Sequence, residues 1–252
     1  MKKTTLFSLI ATSALLGGCQ NFDTNGLVNS GALAFKAATI SDAEVKQVAD
    51  GACAEMDADN KIASSGSKYT QRLNKIAKSL GSEINGTPVN YKVYVVDEVN
   101  AWAMANGCVR VYSGLMDMMT DNEVEGVLGH EMGHVALGHS KKALQVAYAS
   151  AAAQSAAASS ANAAVSGLSQ SQLGDLGNEL VNSQFSQSQE TDADTFSYNL
   201  LMKRNVKPQG LATAMDKLAK LGGGSEHSMF DSHPPSEERA QHIRDLIAAN
   251  KK

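Results

Sequence analysis

Apolar positions recur along the chain with two periods. Val45, Val48 and Ala52 fall at helical spacing behind Ser41 and Glu44, whose types and separation form a capping box, so a helix is predicted from Ser41. A second is predicted over 66–80, with Tyr69, Leu73, Ile76, Ala77 and Leu80 on one face and Gly81 as its stop. The period then changes to two. Residues 89–96 alternate and are rich in β-branched and aromatic types, which predicts a strand. Two shorter runs, 101–105 and 108–112, flank Asn106-Gly107, a strong hairpin signal. Thr120 and Glu123 form another capping box, predicting a helix that carries residues 124–148. Further helices are predicted at 178–204, with Phe185, Phe196, Leu200 and Leu201 as apolar anchors, at 209–221 behind Pro208, and at 237–249 behind Pro234-Pro235-Ser236. Gly222-Gly223-Gly224 reads as a hinge. The class is α+β, mostly helical with one small antiparallel sheet.

Residues 149–172 break the pattern. They are almost entirely Ala, Ser, Gln, Asn and Gly, and read as a partly helical, mobile insertion, the alternative being a plain buried helix. The other departure is N-terminal. Lys2 and Lys3 precede an apolar run from Leu6 to Leu16, far short of the ~20 residues of a membrane span. The run ends Leu16-Gly17-Gly18-Cys19, which resembles the bacterial lipobox. That resemblance implies a signal peptide over 1–18, a lipidated N-terminus and tether over 19–40 starting at Cys19, and a folded domain over 41–250. Gln20, rather than Asp, after the Cys implies sorting to the periplasmic face of the outer membrane. A net charge of −4 and the absence of a basic cluster leave no reason to expect nucleic acid. Of three cysteines, Cys53 and Cys108 remain once Cys19 carries lipid. An even pair in an exported chain reads as a disulfide closing about 55 residues, worth roughly 3–4 kcal/mol; the alternative is two separate buried thiols.

The string that carries chemistry is His130-Glu131-Met132-Gly133-His134. Positions i and i+4 share a helix face, so both imidazoles can address one ion, and Glu131 can reach a metal-bound water without ligating the metal. Chance placement of the chain's His and Glu would produce about 0.007 such matches, which sets coincidence aside. Gly129 and Gly133 cost helix stability, and small residues there would admit a close neighbour. A catalytic zinc takes three protein ligands. Candidates for the third are His139, His227, His233, His242 and several acids, among which Glu190-Thr191-Asp192-Ala193-Asp194 stands out, because a helical carboxylate there completes a His₂Glu site. Read from the residues alone, His233 could be a turn residue before two prolines, Arg239 a solvated helix residue and Asp194 a simple helix charge.

The HExxH string followed by Glu190-Thr191-Asp192-Ala193-Asp194 resembles the HtpX/Oma1-like gluzincin metallopeptidases over roughly residues 40–249. Asn100-Ala101-Trp102-Ala103-Met104 resembles the family's Asn-Ala-Phe-Ala strand, with Trp102 where Phe is usual. Val111-Tyr112-Ser113-Gly114-Leu115 and His233-Pro234 with Arg239 are similar to further family segments. The resemblance implies a gluzincin-type domain with the sheet beside the HExxH helix, and one Zn²⁺ per chain held by His130, His134 and Glu190. Glu131 would be the general base. His233 would sit near the metal, stabilising an oxyanion or filling the open position at rest. Arg239 would pair with Asp194, and His139 would continue the helix in a structural role. Strand 100–104 would take the substrate as an added strand. The implied function is a zinc endopeptidase for unfolded or misassembled envelope proteins, in quality control, membrane-bound through its lipid and with an envelope protease as a candidate partner. Two readings from other classes stand beside it: a zinc-binding lipoprotein with a chaperone or assembly role and little proteolysis, and a purely structural envelope lipoprotein.

Overall fold

The computed structural model describes residues 34–35, 37–158, 170–221, 232–233 and 237–250. The export segment, Cys19 and most of the tether, the Gly222–Gly224 hinge and residues 159–169 lie outside them. Helix α1 spans Asp42–Asp59, and its Ser41 N-cap exchanges hydrogen bonds with Glu44 in the predicted box. Helix α2 spans Lys68–Leu80 and stops at Gly81, whose φ of 106° an L side chain rarely adopts. A two-residue ribbon, β1 (Glu83–Ile84) with β2 (Thr87–Pro88), leads into β3 (Asn90–Tyr94), β4 (Ala101–Ala103) and β5 (Cys108–Tyr112).

The Asn106-Gly107 hairpin forms, and β4 and β5 are antiparallel with Trp102 opposite Arg110. The sheet as a whole is mixed rather than antiparallel, because its order is β3-β5-β4. The strands alternate in direction along the chain. With β5 rather than β4 in the centre, β3 lies parallel to β5. Each strand then presents two faces. Val93, Ala101, Val109 and Val111 turn to the main core with α2 and the later helices. Tyr94, Trp102, Cys108 and Tyr112 turn to Ala49, Ala52 and Met56 of α1. A Cys53–Cys108 disulfide fastens α1 to the sheet. Beside it, buried Arg110 donates through Nε and Nη2 to the Asp57 carboxylate at 2.7 and 2.8 Å, and Lys92 and Tyr94 donate to the same group.

A short helix α3 (Ser113–Met118), absent from the sequence reading, leads to α4 (Asp121–Ala136) with its Thr120/Glu123 box in place. The predicted run to residue 148 is interrupted. Gly138, at φ +76°, turns the chain, and α5 (His139–Ala158) starts on a new axis. The helix predicted over 178–204 is likewise two: α6 (Gln170–Val181) and α7 (Gln187–Lys203). Ser186 caps α7 in a box with Gln189, a local signal the reading passed over. Residues 149–158 and 170–172 of the insertion are thus helical. Helices α8 (Gln209–Leu221) and α9 (Glu237–Ala249) follow as predicted. Among the described residues no helix is long and apolar enough to cross a membrane.

Helix α4 is the hub, and its glycines set how near the others come. A Cβ at Gly129 would lie 2.6 Å from Ser197 Oγ, and one at Gly133 would lie 3.1 Å from Ala193 of α7. At Gly126 it would meet the Leu211 backbone of α8 at 2.7 Å. Gly126→Ala must therefore push α8 away; a loss of about 1–3 kcal/mol is expected in urea unfolding.

The Asp57 cluster makes a pH prediction. Burial alone would raise this carboxyl, but hydrogen bonds from Arg110, Lys92 and Tyr94 outweigh burial and lower its pKa from 3.8 to about 2. The stability this contributes is complete above about pH 4 and is lost as pH falls toward 2. Urea midpoints of wild type and Asp57→Asn should differ at pH 6 and converge as the pH falls through that window.

Candidate metal centre

His130 and His134 lie one turn apart on α4, with Nε2 atoms 3.0 Å from each other. Helix α7 crosses that face and brings Glu190, whose Oε2 is 3.4 Å from His130 Nε2 and whose Oε1 is 3.3 Å from His134 Nε2. His233 closes the group, its Nδ1 at 3.0 Å from Glu190 Oε1 and 3.3 Å from His130 Nε2. All four are buried, and one ligand atom from each lies within 4.8 Å of the rest.

The donor chemistry fits a cation. His130 Nδ1 is 2.8 Å from Asp194 Oδ1 and donates to it, so that whenever the ring is neutral its lone pair is on Nε2. That lone pair meets those of His134 and Glu190 in a buried space, where acceptors outnumber protons. A metal ion resolves the excess, and the His/His/Glu set with an ordered outer carboxylate suits one. Charge balance agrees. Burial would lower the pKa of His130, but Asp194 and Glu190 overcome it and raise it to about 10. Burial would raise Glu190, but hydrogen bonds from His130, His134 and His233 hold it far below the carboxylate range. The centre thus demands positive charge, which a proton or a metal ion supplies.

Arg239 on α9 supports the centre from behind. Its Nε and Nη2 donate to the two Asp194 oxygens at 2.7 and 2.8 Å, and its Nη1 reaches Glu190 Oε2 at 2.5 Å. Burial would raise Asp194, but Arg239 and His130 outweigh it and hold it at about 2. Glu131 is different. Burial raises its pKa against the opposing pull of His233 and His130. Among the described residues its Oε1 has no hydrogen-bond partner, and its Oε2 is 3.7 Å from His233 Nε2.

Glu131 lines a cleft together with Trp102, Ala103, Met104, Leu144, Phe185 and His233. Of the Asn100–Met104 segment, residues 102–104 thus border the site, while Asn100 and Ala101 are buried at the start of β4. Phe185, read as a helix anchor, instead lies between α6 and α7 and stacks on His134 with ring centroids 3.9 Å apart. His139 does not continue α4. It heads α5, and its Nδ1 comes back to 3.0 Å from His134 Nδ1. Burial lowers its pKa. Nothing local in the sequence marks either contact, because both depend on how the chain turns at Gly138 and at 182–186. Among the other candidate ligands, His242 hydrogen-bonds Thr195, and His227 lies outside the described residues.

The sequence model of peptidase family M48 matches residues 67–247. The chain belongs to peptidase family M48. Metalloprotease YcaL of Escherichia coli K12 is 60% identical over 255 residues, covering the whole of both chains. Metalloprotease LoiP of the same organism is 60% identical over 250 residues, 99% of each. Mitochondrial metalloendopeptidase OMA1 of Arabidopsis thaliana is 29% identical over 160 residues, 61% of this chain and 31% of that protein. This M48 chain is a metalloprotease, and its buried His/His/Glu/His group is where its described residues can gather a metal.

Breaking the buried support should cost folding energy directly. Arg239→Leu leaves Asp194 and Glu190 without their guanidinium, and a loss of about 3–5 kcal/mol is expected in urea unfolding without added metal.

Proposed function

We propose that this M48 chain is a zinc-dependent endopeptidase with His130, His134 and Glu190 as ligands and Glu131 as general base. The observation that carries the reading is the convergence of two Nε2 atoms and a carboxylate beside a buried, unpartnered Glu131 oxygen on a cleft. Zinc, when bound, supplies Lewis acidity and lowers the pKa of water toward ~7. Glu131 Oε1 accepts the proton of the attacking water and passes it to the leaving nitrogen. Burial, which raises its proton affinity, helps it keep the proton between the two transfers. Asp194 and Arg239 hold His130 and Glu190 in place. His233 stabilises the developing oxyanion through an N–H, or takes the fourth ligand place at rest through Nδ1. The open side of β4 offers backbone groups to an extended substrate, fixing the scissile bond near Glu131.

The cellular part of the proposal rests on the N-terminal sequence. Cys19 carries lipid after removal of residues 1–18, residues 19–40 tether the domain of 41–250, and the enzyme works on the periplasmic face of the outer membrane. Its substrates are unfolded or misassembled envelope proteins, in quality control. The Cys53–Cys108 bond suits an oxidising compartment.

Zinc content and casein cleavage, measured together on the full chain in detergent, test the reading. One zinc per chain is expected in wild type and Glu131→Gln, with turnover in the variant reduced by roughly 10²–10⁴. His130→Ala should lose both. Full activity in Glu131→Gln would overturn the mechanism, and zinc without cleavage in wild type would favour the chaperone or assembly role.

A further inference from the structure

The two histidines of α4 are supported unequally. His130 is backed by a carboxylate that a guanidinium holds in place. Among the described residues His134 has no carboxylate bonded to its outer nitrogen. Its outer nitrogen, Nδ1, lies 3.0 Å from Nδ1 of His139. At that separation one nitrogen carries a proton and the other accepts it. Which is which follows from the other end of the ring. His134 Nε2 faces the cluster, 3.0 Å from His130 Nε2 and 3.3 Å from Glu190 Oε1, so a ligand role there needs its lone pair free. The proton of a neutral His134 then sits on Nδ1, and His139 Nδ1 is the acceptor, its own proton being on Nε2.

The position of His139 is a product of the fold. It is the first residue of α5, and the positive-φ turn at Gly138 swings it back over α4. On the other side Phe185 stacks on His134 at 3.9 Å, and the Phe185 N–H donates to Ser232 O at 3.3 Å. His134 is thus packed on a face by an aromatic ring and bonded at its rim by an imidazole. Such outer partners fix the tautomer and orientation of a metal-bound histidine.

We infer that His139 is a positioning residue: by accepting the Nδ1–H of His134 it holds that imidazole in the tautomer that presents Nε2 to the metal. The inference rests on the ligand set proposed above and adds a neutral outer partner to it.

The test compares His139→Leu, which fills the space without an acceptor, with His139→Asn, whose amide oxygen lies about where Nδ1 does. Zinc affinity of the full chain in detergent is read by competition with a chromophoric chelator, with circular dichroism to establish folding. His139→Leu should bind zinc about tenfold more weakly, and His139→Asn should stay close to wild type. In zinc-loaded wild type, ¹⁵N-resolved NMR should find a slowly exchanging proton on His134 Nδ1 and the His139 proton on Nε2. Unchanged affinity in His139→Leu, or equal loss in both variants, would overturn the inference while leaving the metal centre intact. So would an unprotonated His134 Nδ1, a measurement that needs no variant. A wild type that binds no zinc would instead overturn the ligand assignment, and this inference with it.

Discussion

The close approach of α4 and α7 is the constraint on which the rest depends. Two imidazoles on one helix face are only half a metal site; the carboxylate must come from a second helix lying almost against the first. Gly129 and Gly133 make room for that, with Ser197 and Ala193 occupying the space where side chains would otherwise stand. The contact has a chemical cost as well, since it buries Glu190 and Asp194 together. Arg239 makes this tolerable by bonding both carboxylates, so α9 is held by the same charges that organise the centre. A buried ion network of this kind is weak evidence for stability but fixes geometry, because moving one member leaves another's charge buried and uncompensated.

Carboxylates in one small volume are driven to opposite roles by their surroundings. Glu190 and Asp194, ringed by donors and cations, are held ionised. Glu131 lies nearby on the same helix as the imidazoles, yet burial without a direct hydrogen bond to Oε1 raises its proton affinity. The proposed ligand and the proposed base are thus distinguished by the charges and donors around them more than by residue type.

What was legible in the sequence was what is local. Ser41/Glu44 and Thr120/Glu123 act within one turn, so the starts of α1 and α4 could be read directly. HExxH was legible because its two imidazoles need only a helix. The ends were harder. Gly138 looks like any tolerated helical glycine until its φ is known, and the break at 182–186 hides inside an apolar helical pattern. Strand order is non-local. The Asn-Gly turn implies that β4 and β5 pair, but nothing in it says that β3 adds to β5 on the far side, making that pair parallel. His139 and Phe185 were missed as neighbours of His134 for the same reason, since a contact across a turn has no spacing to betray it. The Arg239–Asp194 pair came from the family resemblance rather than from the residues, and the Arg239–Glu190 contact was anticipated by neither.

The disulfide has a topological consequence. Cys53 and Cys108 close a ring that contains α2 and β1 to β4, and the ring ends before His130 in chain order. No metal-site side chain described above belongs to the ring, and the ring closes without reference to them. Oxidation fastens the wall of the cleft, and the buried group that could hold a metal lies on its floor, outside the ring. Reducing the disulfide therefore opens a loop that carries none of those four side chains.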